Sequence, residues 1–172
     1  MANSCKIILL IIFIPAIIFS EQQTYKFQRI SVEDGLSSPY VNCFLQDRQG
    51  FMWIGTTSGL NRYDGYEFKV FSHDPSDSLS LSNNTITSIF EDSLGFLWIG
   101  TGTGGLNKFD PASETFIACR HDPMENSSIC DDNVITLYGG SESGLWIGTM
   151  GGLAYLSPEQ LYTGSKELFF QN

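Results

Sequence analysis

Basic side chains are scarce here, 9 Lys+Arg against 19 Asp+Glu, and Lys6 is the only charge in the first twenty residues. A surface this acidic repels phosphate backbones, which argues against a nucleic-acid partner. Histidine is scarcer still: His73 and His121 are the two in the chain. There is no Cys-x-x-Cys and no His–Cys cluster, so the spacing that zinc requires is missing, and neither metal nor cofactor is expected. No serine sits in a nucleophile-elbow context. No glycine-rich loop leads from a strand into a helix, because Gly102-Thr103-Gly104-Gly105 runs into a second strand pattern instead.

Long apolar runs are also lacking, with one exception at Ile7 to Phe19, broken only by Pro15 and Ala16. That run is short for a bilayer span and suits the core of a signal peptide, with Ser20 as the small residue before cleavage. The expected organisation is a signal peptide over 1–20 and one exported domain over 21–172, periplasmic or membrane-attached and facing the periplasm. A retained membrane anchor is the competing reading of the same run. Cys43 falls inside an apolar strand pattern and reads as a small core side chain. Cys119 and Cys130 could bond in an oxidising compartment, and their geometry is left open by sequence.

What the chain has in place of catalytic motifs is repetition. Trp53-Ile54-Gly55-Thr56, Trp98-Ile99-Gly100-Thr101 and Trp146-Ile147-Gly148-Thr149 are one phrase written three times, with tryptophans 45 and 48 residues apart. The flanks repeat as well. A β-branched residue precedes each tryptophan by twelve places (Val41, Ile86, Val134), and Gly-Leu follows each by six or seven (Gly59-Leu60, Gly105-Leu106, Gly152-Leu153). Two repeats carry Asp-x-x-Gly-x-x-Trp, as Asp47, Gly50, Trp53 and Asp92, Gly95, Trp98. In the third, Gly140 replaces the aspartate and Gly144 lies one place nearer its tryptophan, a re-formed turn of the same total length.

A period near 45 residues signals stacked units. Each unit reads as four short strands, with repeats at approximately 36–80, 81–128 and 129–172. Asp opens the first hairpin by accepting amide protons two residues on, and the later Gly takes the positive φ of a bulged turn. Trp then lies at a fixed place on the returning strand, where its ring covers the neighbouring unit, and the Gly after Trp-Ile allows close backbone approach. Asp64-Gly65 signals a two-residue hairpin, and Tyr66 to Phe71 alternates like a half-exposed outer strand. The strands from Val41, Ile86 and Val134 are apolar on both alternations, as suits an innermost strand covered on both faces. The fold class is therefore all-β, a partial β-propeller of about three four-stranded blades.

The Asp-x-x-Gly-x-x-Trp-Ile-Gly-Thr…Gly-Leu pattern, over roughly residues 27–156, resembles the two-component regulator propeller repeats. The resemblance implies the extracytoplasmic sensor of a bacterial hybrid two-component system, with an oligosaccharide cue and with a membrane span, kinase and DNA-binding parts carried elsewhere. It also implies that Tyr25 to Ile30 is a lone outer strand that pairs with a last blade. Since rings close at four to eight blades, three blades point to a piece of a longer sensor. Its expected partners are a small polar ligand, the remaining blades and signalling domains, and other copies through open blade edges. A weaker resemblance is to the Asp-box hairpins of sialidase propellers, but Arg29, Arg48, Arg62 and Arg120 do not converge on a carboxylate site.

Ligands of propellers meet loops at one end of the channel. Two loop sets share that end: Ser37–Tyr40, Asn83–Thr85 and Asp131–Asn133 between blades, and Thr57-Ser58, Thr103-Gly104 and Met150-Gly151 after each Trp strand. Tyr40, Thr57, Asn84, Thr103, Asp132 and Asn133 are the candidate ligand-binding residues, Tyr40 being the aromatic platform among hydroxyls, amides and carboxylates. Asp47, Gly50, Trp53, Gly55, Asp92, Gly95, Trp98, Gly100, Trp146 and Gly148 are expected to maintain the repeat. The His-Asp-Pro triplets recur in one loop of successive repeats and read as turn caps, not as a catalytic pair. Two further readings stand beside the sensor: a general protein-interaction propeller and an Asp-box glycosidase-like unit.

Overall fold

Glycines and aspartates at the chain reversals set the strand boundaries. A computed structural model describes residues 25–140 and 143–162; the signal segment expected over 1–20 and the tail beyond 162 lie outside these residues. Blade 1 consists of β1 (Val41–Gln46), β2 (Met52–Thr56), β3 (Gly59–Tyr63) and β4 (Phe68–Phe71). Blade 2 consists of β5 (Ile86–Glu91), β6 (Leu97–Thr101), β7 (Leu106–Asp110) and β8 (Thr115–Cys119). Blade 3 consists of β9 (Val134–Gly140), β10 (Gly144–Thr149) and β11 (Gly152–Leu156). Each sheet is an antiparallel meander in chain order, and the innermost strands β1, β5 and β9 lean on one another. This is three blades of a propeller arc.

The tryptophan of each blade faces the next. Trp53 packs with Leu60 of its own blade against Ile86, Leu97, Ile99, Phe109 and Phe116 of blade 2. Its ring meets Phe109 edge-on at 5.3 Å and stacks with Phe71 at 5.8 Å. Trp98 and Leu106 pack in the same way against Val134, Leu145, Ile147 and Leu156 of blade 3. Burial of a ring this size contributes a few kcal/mol, on the order of 3–5 lost if it is truncated.

The glycine after Trp-Ile makes room for side chains, where sequence suggested backbone. A Cβ on Gly55 would lie 2.5 Å from Cys43 Sγ and 2.6 Å from Ile86 Cγ2 of the next blade. A Cβ on Gly100 would lie 2.7 Å from Val134 Cγ1. The glycine is thus the slot into which the first residue of the next innermost strand fits.

Four local expectations are corrected. Residues 25–30 form no strand and are exposed, since an outer strand needs a sheet to pair with and none lies beside it among the described residues. The Asp64-Gly65 reversal takes four residues, because the ladder ends at the Tyr63–Phe68 pair and Asp64 Oδ1 accepts from the amides of Tyr66 and Glu67. The innermost strands are not all covered on both faces: Ile86 is fully buried, but Val41 and Phe44 of β1 are exposed because no blade precedes them among the described residues. Among the described residues blade 3 shows three strands, where four were expected. After β11 the chain starts a short helix, α1 (Pro158–Tyr162), at a reciprocal cap. Ser157 N–H donates to Gln160 Oε1 at 3.1 Å, Gln160 N–H donates to Ser157 Oγ at 3.4 Å, and proline stands first in the helix. Leu161 then drops into the interface between blades 2 and 3.

Candidate functional site

In an antiparallel blade the β2–β3 turn and the connection to the next blade leave from the same end. The threonine of each Trp-Ile-Gly-Thr phrase builds that end. Thr56 Oγ1 donates to Gly59 O at 3.0 Å and accepts from Ser58 N–H, Thr101 Oγ1 donates to Gly105 O at 2.8 Å, and Thr149 Oγ1 donates to Gly152 O at 2.8 Å. The two loop sets are then joined by backbone bonds within each blade, from Thr57 N–H to Tyr40 O, Gly102 N–H to Thr85 O and Met150 N–H to Asn133 O. They are also joined between blades, from Gly59 N–H to Asn84 O at 2.7 Å and from Gly105 N–H to Asp132 O at 2.8 Å. The result is one continuous rim carrying all six candidate residues.

Those six differ in what remains free. Tyr40 is 71 % exposed. Thr57 is exposed, with its hydroxyl 3.0 Å from Ser38 Oγ, and Thr103 is exposed, with its hydroxyl accepting from Asn83 Nδ2 at 2.9 Å. Asn84 and Asp132 occupy equivalent positions, and their side chains tie the long connections down. Asn84 Oδ1 accepts from His73 N–H at 2.7 Å and Asp132 Oδ1 accepts from His121 N–H at 2.8 Å. Arg120 lies 3.6 Å from the other Asp132 oxygen. Asn133 is half-buried, with its amide N–H held by Asp131 Oδ1.

The histidines complete this staple. His73 Nδ1 is 2.7 Å from Leu81 O and His121 Nδ1 is 2.7 Å from Ile129 O. Leu81 and Ile129 are fully buried, so each ring pins an apolar plug at the end of its loop. Asp74 N–H and Asp122 N–H bond Ser80 Oγ and Ser128 Oγ in the same manner.

Sequence reading missed a polar pair behind the rim. Ser37 N–H donates to Asn61 Oδ1 and Asn61 Nδ2 donates to Ser37 Oγ, at 2.9 and 2.8 Å. Ser82 and Asn107 repeat the exchange at 3.1 and 2.7 Å. Asn61 and Asn107 are fully buried. In blade 3 the corresponding residues are Cys130 and Ala154, so both polar partners change together. The signal available was an asparagine eight or nine residues after two of the tryptophans and an alanine after the third. Removing the asparagine takes the acceptor from the serine N–H and the donor from its hydroxyl, and changing the serine as well cancels only the second loss. Asn107→Ala should cost about 1–3 kcal/mol. Adding Ser82→Cys, which reproduces the blade 3 pair, should recover part of that loss in a denaturant-unfolding cycle.

Cys43 and Cys119 are packing groups. Cys119 is a free thiol, so it does not bridge to Cys130. Burial pushes Cys119 up to about 12 and Cys43 up to about 11, despite an opposing backbone contact from Gly55 to Cys43.

The opposite end of the blades holds a cleft of about 400 Å³ between blades 1 and 2, lined by Phe51, Arg62, Glu91, Leu94, Phe96 and Pro111 among others. Its charged side chains are already engaged. Arg48 Nε donates to Glu91 Oε1 at 2.7 Å, and its terminal nitrogens reach the carbonyls of Ser93 and Asp92. Arg62 Nη1 lies 3.2 Å from Glu114, its guanidinium 5.0 Å from the Phe51 ring. Glu114, held in left-handed backbone at φ 55°, also pairs with Lys69. Lys69 foremost, with Arg62, holds the Glu114 carboxyl below its ordinary range. These are clasps between blades.

The profile described as "two component regulator propeller" matches residues 35–58 and 80–103, the first two Asp-to-Thr hairpins with their leading connections. Histidine kinase P4 of Formosa agariphila is 37% identical over 75 residues, 44% of this chain and 6% of the kinase. A solved extracellular domain assigned to a hybrid two component system of Bacteroides thetaiotaomicron superposes with a TM-score of 0.74 at 30% identity, over 84% of this chain and 20% of that one. A second such domain from the same organism gives a TM-score of 0.66 at 23% identity, over 87% of this chain and 21% of its own, and shows the fold. The chain therefore spans about a fifth of the length of these structures and a far smaller part of the kinase.

Proposed function

We propose that this chain, whose first two hairpins match the two-component regulator propeller profile and whose blades superpose on a solved extracellular domain of such a system, is a ligand-sensing, extracytoplasmic part of a hybrid two-component signalling protein. The output lies in a kinase beyond these blades, and the cue is an oligosaccharide met at the Tyr40–Thr57–Thr103 rim. One observation carries the choice of rim: both loop sets are locked together there, leaving an exposed aromatic ring and two exposed threonines on the same rim. A pyranose presents an apolar face for a ring of this kind and hydroxyls for its neighbours. The carboxylates and imidazoles that could serve a glycosidase are spent elsewhere. Asp47 and Asp92 hold turns and indoles, Glu91 holds Arg48, and both histidines hold loop carbonyls. That distribution supports binding without turnover.

The test is calorimetric titration of the chain with a panel of neutral and acidic oligosaccharides. A glycan that binds should lose about tenfold in affinity with Tyr40→Ala, roughly 1.4 kcal/mol. Absence of binding across the panel, together with capture of a stoichiometric protein partner at the rim, would instead establish the protein-interaction reading.

A further inference from the structure

The connection into blade 3 is a charged copy of the connection into blade 2. In the first of these, Asn83 Oδ1 accepts from Thr85 N–H at 2.9 Å and Asn84 Oδ1 accepts from His73 N–H at 2.7 Å. In the second, Asp131 Oδ1 accepts from Asn133 N–H at 2.6 Å and Asp132 Oδ1 accepts from His121 N–H at 2.8 Å. Asparagine therefore meets the needs of the turn, and the two negative charges are surplus to it. Their surroundings differ. Asp132 has Arg120 at 3.6 Å from its second oxygen. Asp131 forms no ion pair, and its second oxygen accepts nothing, among the described residues. The neighbouring turn explains this. A Cβ on Gly104 would lie 2.7 Å from Asn83 Cβ, and one on Gly151 would lie 3.0 Å from Asp131 Cβ. Before Gly104 stands Thr103, whose hydroxyl takes the Asn83 amide at 2.9 Å. Before Gly151 stands Met150, which offers Asp131 no hydroxyl.

Resting on the rim reading above, we propose that Asp131 is a ligand-binding residue of the rim and sets the charge class of the glycan, which is uncharged. A carboxylate oxygen only accepts, and the hydroxyls of a neutral sugar supply donors for charge-assisted bonds to it. An anionic sugar meets repulsion at the same point and finds no cation to answer it. Arg120 is beside Asp132, while Arg48, Arg62 and Lys69 clasp the blades at the opposite end. Lys108 lies 4.3 Å from the Phe96 ring, on the strand row of Trp98. A lone carboxylate is not the pair that glycoside hydrolysis uses, so the role is binding.

Calorimetric titration with cello-, manno- and galacto-oligosaccharides tests this, each used neutral and with its primary hydroxyls oxidised to carboxylates. The neutral form of an oligomer that binds should bind about tenfold more tightly at low salt than its oxidised form. Asp131→Asn keeps the turn bond, as Asn83 does, and should weaken the neutral form several-fold while narrowing the gap between the two. Tyr40→Ala should weaken both forms alike. An oxidised form that binds as tightly as its neutral partner overturns the inference, as does a gap that Asp131→Asn leaves unchanged; either result leaves the rim reading standing if Tyr40→Ala still weakens binding. No binding by any of these oligomers overturns the rim reading, and the inference with it.

Discussion

Trp98→Ala is expected to destabilise the chain by about 3–5 kcal/mol, whereas Trp146→Ala should cost roughly 1 kcal/mol or less. The two residues occupy the same letter of the repeat, so propensity and strand position cannot separate them. What separates them is the neighbour. Trp98 is fully buried against blade 3, with Val134, Leu145 and Ile147 closing over it, and truncation leaves a cavity that three packed strands cannot fill. Trp146 is 40% exposed and touches Tyr155 at 4.5 Å, so water enters where the ring was. Urea unfolding of both variants followed by circular dichroism checks the pair. Equal losses would mean that the rings act within their own sheets, and the stacking of blade on blade would carry little of the stability.

Asp92→Ala should be the other large loss, about 3 kcal/mol. One carboxylate serves three donors. Oδ1 accepts from Leu94 N–H at 2.9 Å and Phe96 N–H at 3.1 Å, and Oδ2 accepts from Trp98 Nε1 at 3.0 Å. Asp92 is 2% exposed, so alanine strands donors away from water at about 1–3 kcal/mol each, and the turn loses the anion that orders it. Asp47 makes the same three bonds at the half-buried position of blade 1, and Asp47→Ala should cost less. Differential scanning calorimetry ranks the two. If Asp92→Ala matched an ordinary surface substitution, the turn would be held by its glycine alone.

Much of this was legible in sequence because the repeat amplifies weak signals. Asp47 and Asp92 were read as turn residues, and the amide bonds two residues on are present, with Gly50 and Gly95 at φ 93° and 91°. The indole acceptor was not foreseen, since nothing in a spacing of six says which oxygen turns inward. The cation beside each interior indole was also missed. Trp53 pairs across the ladder with Arg62 and Trp98 with Lys108, whose charges lie 5.8 and 5.2 Å from the rings, while Trp146 pairs with Tyr155. That row depends on strand register, which the Gly-Leu spacing hinted at without fixing. The rim was found because loop ends follow from strand order. The engagement of Asn84 and Asp132 by histidine amides was not, because both partners lie in polar loops eleven residues apart, without periodicity. The short helix after β11 was not foreseen either: Ser157-Pro158-Glu159-Gln160 is a helix-start signature that went unread at the head of an ambiguous tail.

The account depends on two indoles sealed between blades with their N–H groups on aspartate, and on a third without that cover. Hydrogen exchange of the three indole N–H signals in an ¹⁵N-labelled sample measures this directly. The N–H groups of Trp53 and Trp98 should persist in deuterated buffer long after that of Trp146 has vanished. Three signals lost together at the rate of free indole would contradict it.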